Sequence, residues 1–156
     1  MTMKLDELQA EYRTVTLDKL EVGALIETVL GEDDGLILKN GRQSKPKKLI
    51  IIGVDKEAGT CYGSVLVNTN MNPKANYSEP YLAAQYLLKQ ENYENFLRYD
   101  SFVDCGEVFS FSIDKLLSGG YFGKLSEEDL KGVFDILETT DTLSTKLKKR
   151  FGIRRR

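Results

Sequence analysis

The chain of 156 residues contains no histidine. Without imidazole there is no Ser-His or Cys-His nucleophile pair, no histidine general base, and no zinc site of the common kinds. Any catalysis falls to arginine, lysine, tyrosine, serine, threonine or carboxylates. No metal site and no cofactor are expected. Apolar runs are short as well, and none approaches the length needed for a transmembrane helix. The first residues, MTMKLDELQAEYR, lack the basic start and apolar centre of a signal peptide, so a cytoplasmic location away from membranes is expected. Only two cysteines occur, Cys61 and Cys105, and in that compartment they are expected to be reduced core or strand residues.

What is present points to one compact domain spanning 1–156. Apolar residues make up 41 %, enough for a core and too many for a disordered chain. The net charge of −2 hides an uneven distribution. Residues 146–156, KLKKRFGIRRR, hold seven basic residues and no acids, leaving 15 basic against 24 acidic residues in the rest, a net of −9. A second basic cluster comprises Lys39, Arg42, Lys45, Lys47 and Lys48. An acidic body with two positive spots suits an anionic partner met locally; a merely solubilising tail is the blander alternative.

Along the chain, Leu5, Leu8 and Tyr12 have helical spacing and predict a helix over 4–13 within an N-terminal extension, 1–19. The core spans 20–145. Residues 22–30 suit helix or strand and are read as its first strand, since Gly23 breaks the start, followed by an acidic turn at 31–35 and a short strand at 36–38. Asn40-Gly41 is a turn signal, and 42–48 reads as a basic loop segment. Residues 70–100 read as a helical insertion, with Pro73 and Pro80 framing a loop and a short helix over 81–89. Tyr77, Tyr81, Tyr86, Tyr93, Phe96, Tyr99 and Phe102 crowd this region, where aromatic rings either stack unpaired bases or cover the open side of a barrel. Residues 101–112 alternate like a strand pair, and 113–117 lead into Gly119-Gly120. Ser126 is placed to cap a helix with Asp129 at its third position, Leu125 and Leu130 as a staple, and Leu130, Val133, Phe134 and Leu137 as its apolar face. A last helical stretch carries Leu143 and Leu147 into the basic tail. Together these features predict a mainly β, α+β fold: a small SH3-like antiparallel barrel with edge helices and a C-terminal helix.

Residues 45–69, KPKKLIIIGVDKEAGTCYGSVLVNT, are the most informative stretch. A β-branched strand at 49–54, a polar turn at 55–59 and a returning strand at 61–67 form a hairpin. Such a hairpin brings Thr69 beside the basic segment that opens it, which is a way to build a phosphate site without a glycine-rich loop.

In these residues the chain resembles the MazF/PemK/Kid ribonuclease toxins of bacterial toxin–antitoxin pairs. In that family a glycine loop is followed by Arg-Pro, an apolar strand, a turn, and a strand ending near Thr. The resemblance extends over 20–153 and includes Gly123-Lys124-Leu125-Ser126-Glu127-Glu128-Asp129-Leu130, similar to the family's last turn and final helix. It implies a metal-independent, sequence-specific endoribonuclease that cuts single-stranded RNA by attack of the ribose 2′-hydroxyl. It further implies a homodimer and a cognate antitoxin protein as partners. Carried over, the catalytic candidates are Lys45, at the family's arginine, and Thr69, with Arg42 upstream as a second cation. The candidate RNA contacts are Lys39, Lys47, Lys48, Tyr77 and Arg98. Lysine at 45 departs from the family pattern, because an ammonium is a point charge and a guanidinium a planar bidentate fork. The alternatives are a non-catalytic nucleic-acid- or protein-binding module on the same barrel, phage- or plasmid-borne, and an unrelated small α+β structural protein.

Overall fold

The computed structural model describes residues 14–31, 44–68, 79–140, 143–150 and 153. Among the described residues seven strands form one antiparallel system: β1 (Ala24–Gly31), β2 (Ser44–Asp55), β3 (Thr60–Asn68), β4 (Gln85–Leu88), β5 (Ser101–Asp104), β6 (Phe109–Ser112) and β7 (Gly120–Lys124). Helices α1 (Glu79–Ala83), α2 (Ile113–Leu117), α3 (Glu127–Thr139) and α4 (Thr145–Arg150) complete it. The strand order is β4-β5-β3-β2-β1-β7, with β6 also on β3.

The two longest strands bend this sheet into a mainly β, barrel-like shape. β2 pairs with β1 from Ser44 to Ile50 and with β3 from Leu49 to Asp55, so its two halves serve different neighbours. The outer edge of β3 is likewise divided, taking β6 against Thr60–Gly63 and β5 against Leu66–Asn68. Between Ile51 and Gly53 the β2–β3 register shifts by one residue. That bulge turns the following residues over, as the packing shows: Ile50 and Ile52 enter one core while Leu49, Ile51 and Val54 pack into the other.

Both faces of the sheet are therefore buried, which explains the unbroken Leu49-Ile50-Ile51-Ile52 run. The first face gathers Ala24, Ile26, Leu30, Leu49, Ile51, Cys61, Val65 and Phe111 under Leu20 and the helix α2. The second gathers Leu25, Ile50, Ile52, Leu66, Leu88, Phe96 and Val103 under Val133 and Leu137 of α3. The turn between β2 and β3 forms as its composition suggests, with Asp55 Oδ1 accepting from the Ala58 N–H at 3.1 Å. Both cysteines are free and buried, as expected. Among the described residues no helix is long and apolar enough to cross a membrane.

Four local expectations change. The helix predicted over 81–89 stops at Ala83, and Gln85–Leu88 becomes strand β4, because Tyr86 and Leu88 find partners at Val103 and Ser101 of β5. The alternation over 101–112 does give two strands, yet both pair with β3 rather than with each other. Gly120 opens strand β7 on β1, where no strand was expected. Gly119 is required there by space: a Cβ would sit 2.6 Å from the Glu27 carbonyl oxygen. The basic segment 42–48 is strand from Ser44 onward, with Pro46 opposite Val29 on the half of β2 that β3 does not pair. The helix expected at 4–13, the strand at 36–38, the Asn40-Gly41 turn and the Pro73 loop lie outside the described residues.

Candidate functional site

Strand pleating decides which of the predicted cations share a face. Lys47 is opposite the buried Thr28, on the face of Leu49 and Ile51. Lys48 is opposite Glu27 on the other face. The Lys48 ammonium reaches Glu27 at 3.5 Å and hangs 5.9 Å from the centre of the Phe96 ring. Lys47 and Lys48 therefore do not present one surface. Lys45 is placed by its backbone alone, paired with Leu30. Thr69, Arg42, Lys39 and Tyr77 lie outside the described residues. Arg98 is exposed just after the buried Phe96 and Leu97.

The aromatic region separates into two groups. Tyr93 and Phe96 are core residues, and Tyr86 packs against that core, whereas Tyr99 is exposed. Among the described residues, the rings of Tyr86, Tyr93 and Phe96 belong to the core rather than to an exposed stacking surface.

A polar cluster that the sequence did not reveal joins this region to the start of α3. The Tyr86 hydroxyl donates to Asp129 Oδ1 at 2.7 Å, and the Tyr93 hydroxyl donates to Asp129 Oδ2. Ser126 caps the helix as predicted, its Oγ accepting from the Asp129 N–H at 3.2 Å. The reciprocal arm of that cap is supplied from elsewhere: the Ser126 N–H donates to the Tyr93 hydroxyl at 3.1 Å. Burial, reinforced by the Asp129 carboxylate, raises the titration of both tyrosines above the ordinary phenol value. They stay protonated donors at neutral pH. The Tyr86 ring also lies across Gly132, where a Cβ would come within 2.2 Å of it. A tyrosine-to-carboxylate signal of this kind spans more than thirty residues of chain and has no local pattern by which a sequence would show it.

Beside the cluster opens a cleft of about 700 Å³. Its walls come from the turn after β4 (Lys89, Asn92, Asn95), the end of β7 (Phe122, Lys124) and the first turn of α3 (Glu128). Gly123 has φ +104°, a conformation open to glycine, and this lets β7 turn into the cap of α3. Phe122 is held at 5.4 Å, centre to centre, from Phe96, the ring beneath Lys48.

Two residues of the basic tail, Leu147 and Ile153, anchor it to the body. Leu147 packs against the second core, Ile153 is buried, and its N–H donates to the Lys148 carbonyl at 2.8 Å. Lys148 Nζ caps the end of α3 by donating to the Glu138 carbonyl at 2.9 Å. Lys146, Lys149 and Arg150 are exposed. Among the described residues no group of three His, Cys, Asp or Glu side chains is arranged to hold a metal ion. No protein-family model matches the chain, and no curated protein matches it.

Proposed function

We propose that the chain is an endoribonuclease of the MazF/PemK/Kid kind, cutting single-stranded RNA without a metal and held in check by an antitoxin protein. The reading rests on the resemblance, and one observation carries it further. The β2–β3 ladder has its last rung at Leu49 and Val65. Lys45 precedes Leu49 by four residues, and Thr69 follows Val65 by four. On this reading the cation and the hydroxyl serve a phosphate whose non-bridging oxygens gain charge as the 2′-hydroxyl attacks. Lys45, with Arg42, stabilises that charge; Thr69 donates to it; the 2′-oxygen bonds to phosphorus as the P–O5′ bond breaks, the proton lost by the 2′-hydroxyl is balanced by the one gained by the 5′-hydroxyl that leaves, and the other product is a cyclic phosphate. A homodimer in the cytoplasm belongs to the same reading, with sheet edges covered by the second copy.

The test is incubation of the purified full chain with single-stranded RNA in chelator, followed by analysis of the cut ends. Cyclic phosphate termini are expected, with cleavage falling about a hundredfold in Lys45→Ala and Thr69→Val. Intact RNA in the presence of tight binding would overturn the catalytic reading in favour of a non-catalytic binding module on the same barrel. Lysine at 45 favours that second reading, since it lacks the bidentate fork.

A further inference from the structure

The cleft beside α3 has a composition that the catalytic reading leaves unused. Its size of about 700 Å³ falls within the span of small-molecule sites and is ample for one nucleotide. The lining is mixed in a particular way. Phe122 gives an aromatic wall, fixed against Phe96. Asn92 and Asn95 each carry a donor and an acceptor on one planar amide. Glu128 adds an acceptor, and Lys89 and Lys124 add cations, the latter already drawn to Glu21 at 3.3 Å. An apolar ligand would strand these polar groups. A simple anion would meet Glu128 and Asp129 and leave the aromatic wall idle. A nucleobase uses all three kinds of group: its face stacks, its edge both donates and accepts, and its phosphate takes a cation.

The position of the cleft agrees with this chemistry. Lys48 sits over Phe96, Phe96 packs on Phe122, and Phe122 lines the cleft. A phosphate held at Lys48 would thus have the cleft one ring further along the same face. The wall nearest α3 is stiffened by the two tyrosines on Asp129, so the cleft is formed before a ligand arrives.

We infer that this cleft is a base-recognition pocket, taking one unstacked nucleobase of a single-stranded RNA whose backbone passes Lys48. The inference rests on the RNA reading above and adds to it the residues that set sequence preference. The amides of Asn92 and Asn95 read the base edge, and Lys48 contributes affinity without preference.

The experiment compares binding of the full chain to four homopolymeric RNA oligonucleotides, together with amide NMR on titrating each nucleoside monophosphate. The parent should favour one base. In Asn92→Ala/Asn95→Ala, which changes two exposed side chains, that preference should fall about tenfold with the salt slope unchanged. Lys48→Ala should weaken all four oligonucleotides alike and reduce the salt slope by about one. An unaltered preference in the double variant would overturn the pocket while leaving RNA binding intact. A parent that binds no oligonucleotide but shifts Asn92, Asn95 and Phe122 with one monophosphate would overturn the RNA reading and keep the pocket. Monophosphates that leave those three signals unmoved, in a parent that binds no oligonucleotide, would overturn both.

Discussion

The two faces of the sheet are built from the same strands and closed in different ways. The face of Ile26, Leu49 and Ile51 is sealed by apolar side chains from neighbouring strands and the short helix α2. The face of Leu25, Ile50 and Ile52 is sealed by α3, α4 and the segment after β4, elements that reach it from distant parts of the chain. Such elements bring helix ends and loops, whose polar groups need partners. On that second face lie the Tyr86–Asp129–Tyr93 cluster, the Lys48–Phe96 contact and the cleft. The first face is closed by apolar side chains; the face closed by helices holds the polar cluster and the cleft.

The sharpest way to break the comparison is to damage the apolar face first. Ile51 is fully buried there, and Ile51→Ala should cost about 4 kcal/mol, measured by urea unfolding, through lost burial and the cavity it leaves. A loss below about 1 kcal/mol would contradict that burial.

On the other face, Asp129→Ala leaves two tyrosine hydroxyls without their carboxylate acceptor, and a cost of about 2 kcal/mol is expected. Amide exchange should quicken around Tyr86 and Tyr93 and leave β1 and β2 unchanged, because the cluster joins only elements of the helical side.

Gly132→Ala should cost about 1 kcal/mol, since the clash with the Tyr86 ring outweighs the better helix propensity of alanine. In a Tyr86→Ala background the same change should become stabilising by a similar amount. A destabilising effect in both backgrounds would show that the tyrosine is not what keeps the glycine.

Smaller again is the response to pH. The tyrosines of the cluster titrate higher in the folded chain than in the unfolded one, as do Cys61, pushed up by burial to about 11, and Cys105, to about 12. Groups with raised folded values contribute stability that is fully present below their unfolded values and is lost as pH rises through the folded ones. Stability should therefore hold up to about pH 8 and fall above it, and the fall should be shallower in Tyr93→Phe. A thermal midpoint that does not move between pH 8 and pH 11 would contradict this.

The smallest change expected is a gain. Ser64 Oγ is fully buried with no hydrogen-bond partner among the described residues. Ser64→Ala should stabilise by about 0.5–1 kcal/mol in denaturant titration.

Much of the second face was hidden from sequence because its signals are relational. Ser126 and its helix were legible, since a cap and an amphipathic face are local patterns. Its closing partner, the Tyr93 hydroxyl, comes from 33 residues earlier and leaves no trace in spacing. Residues 85–88 carry a helix-like sequence and become a strand only because β5 offers an edge to pair with. Lys47 and Lys48 look like one basic patch in the chain, and pleating sends them to opposite faces.

The sequence by itself determined β1, β3 and the half of β2 from Leu49 onward, the turn at 56–59, the capped helix α3 and the burial of both cysteines. Each depends on near neighbours: β-branched runs, a turn composition, a serine before an amphipathic stretch. Only the tertiary structure decided that β5 and β6 share the edge of β3, that β7 joins β1, and that a cleft opens beside α3. The reason is that strand edges are chemically alike. Which edge meets which is settled by the bulge in β2 and by the helices available to cover each face, and those are properties of the assembled chain.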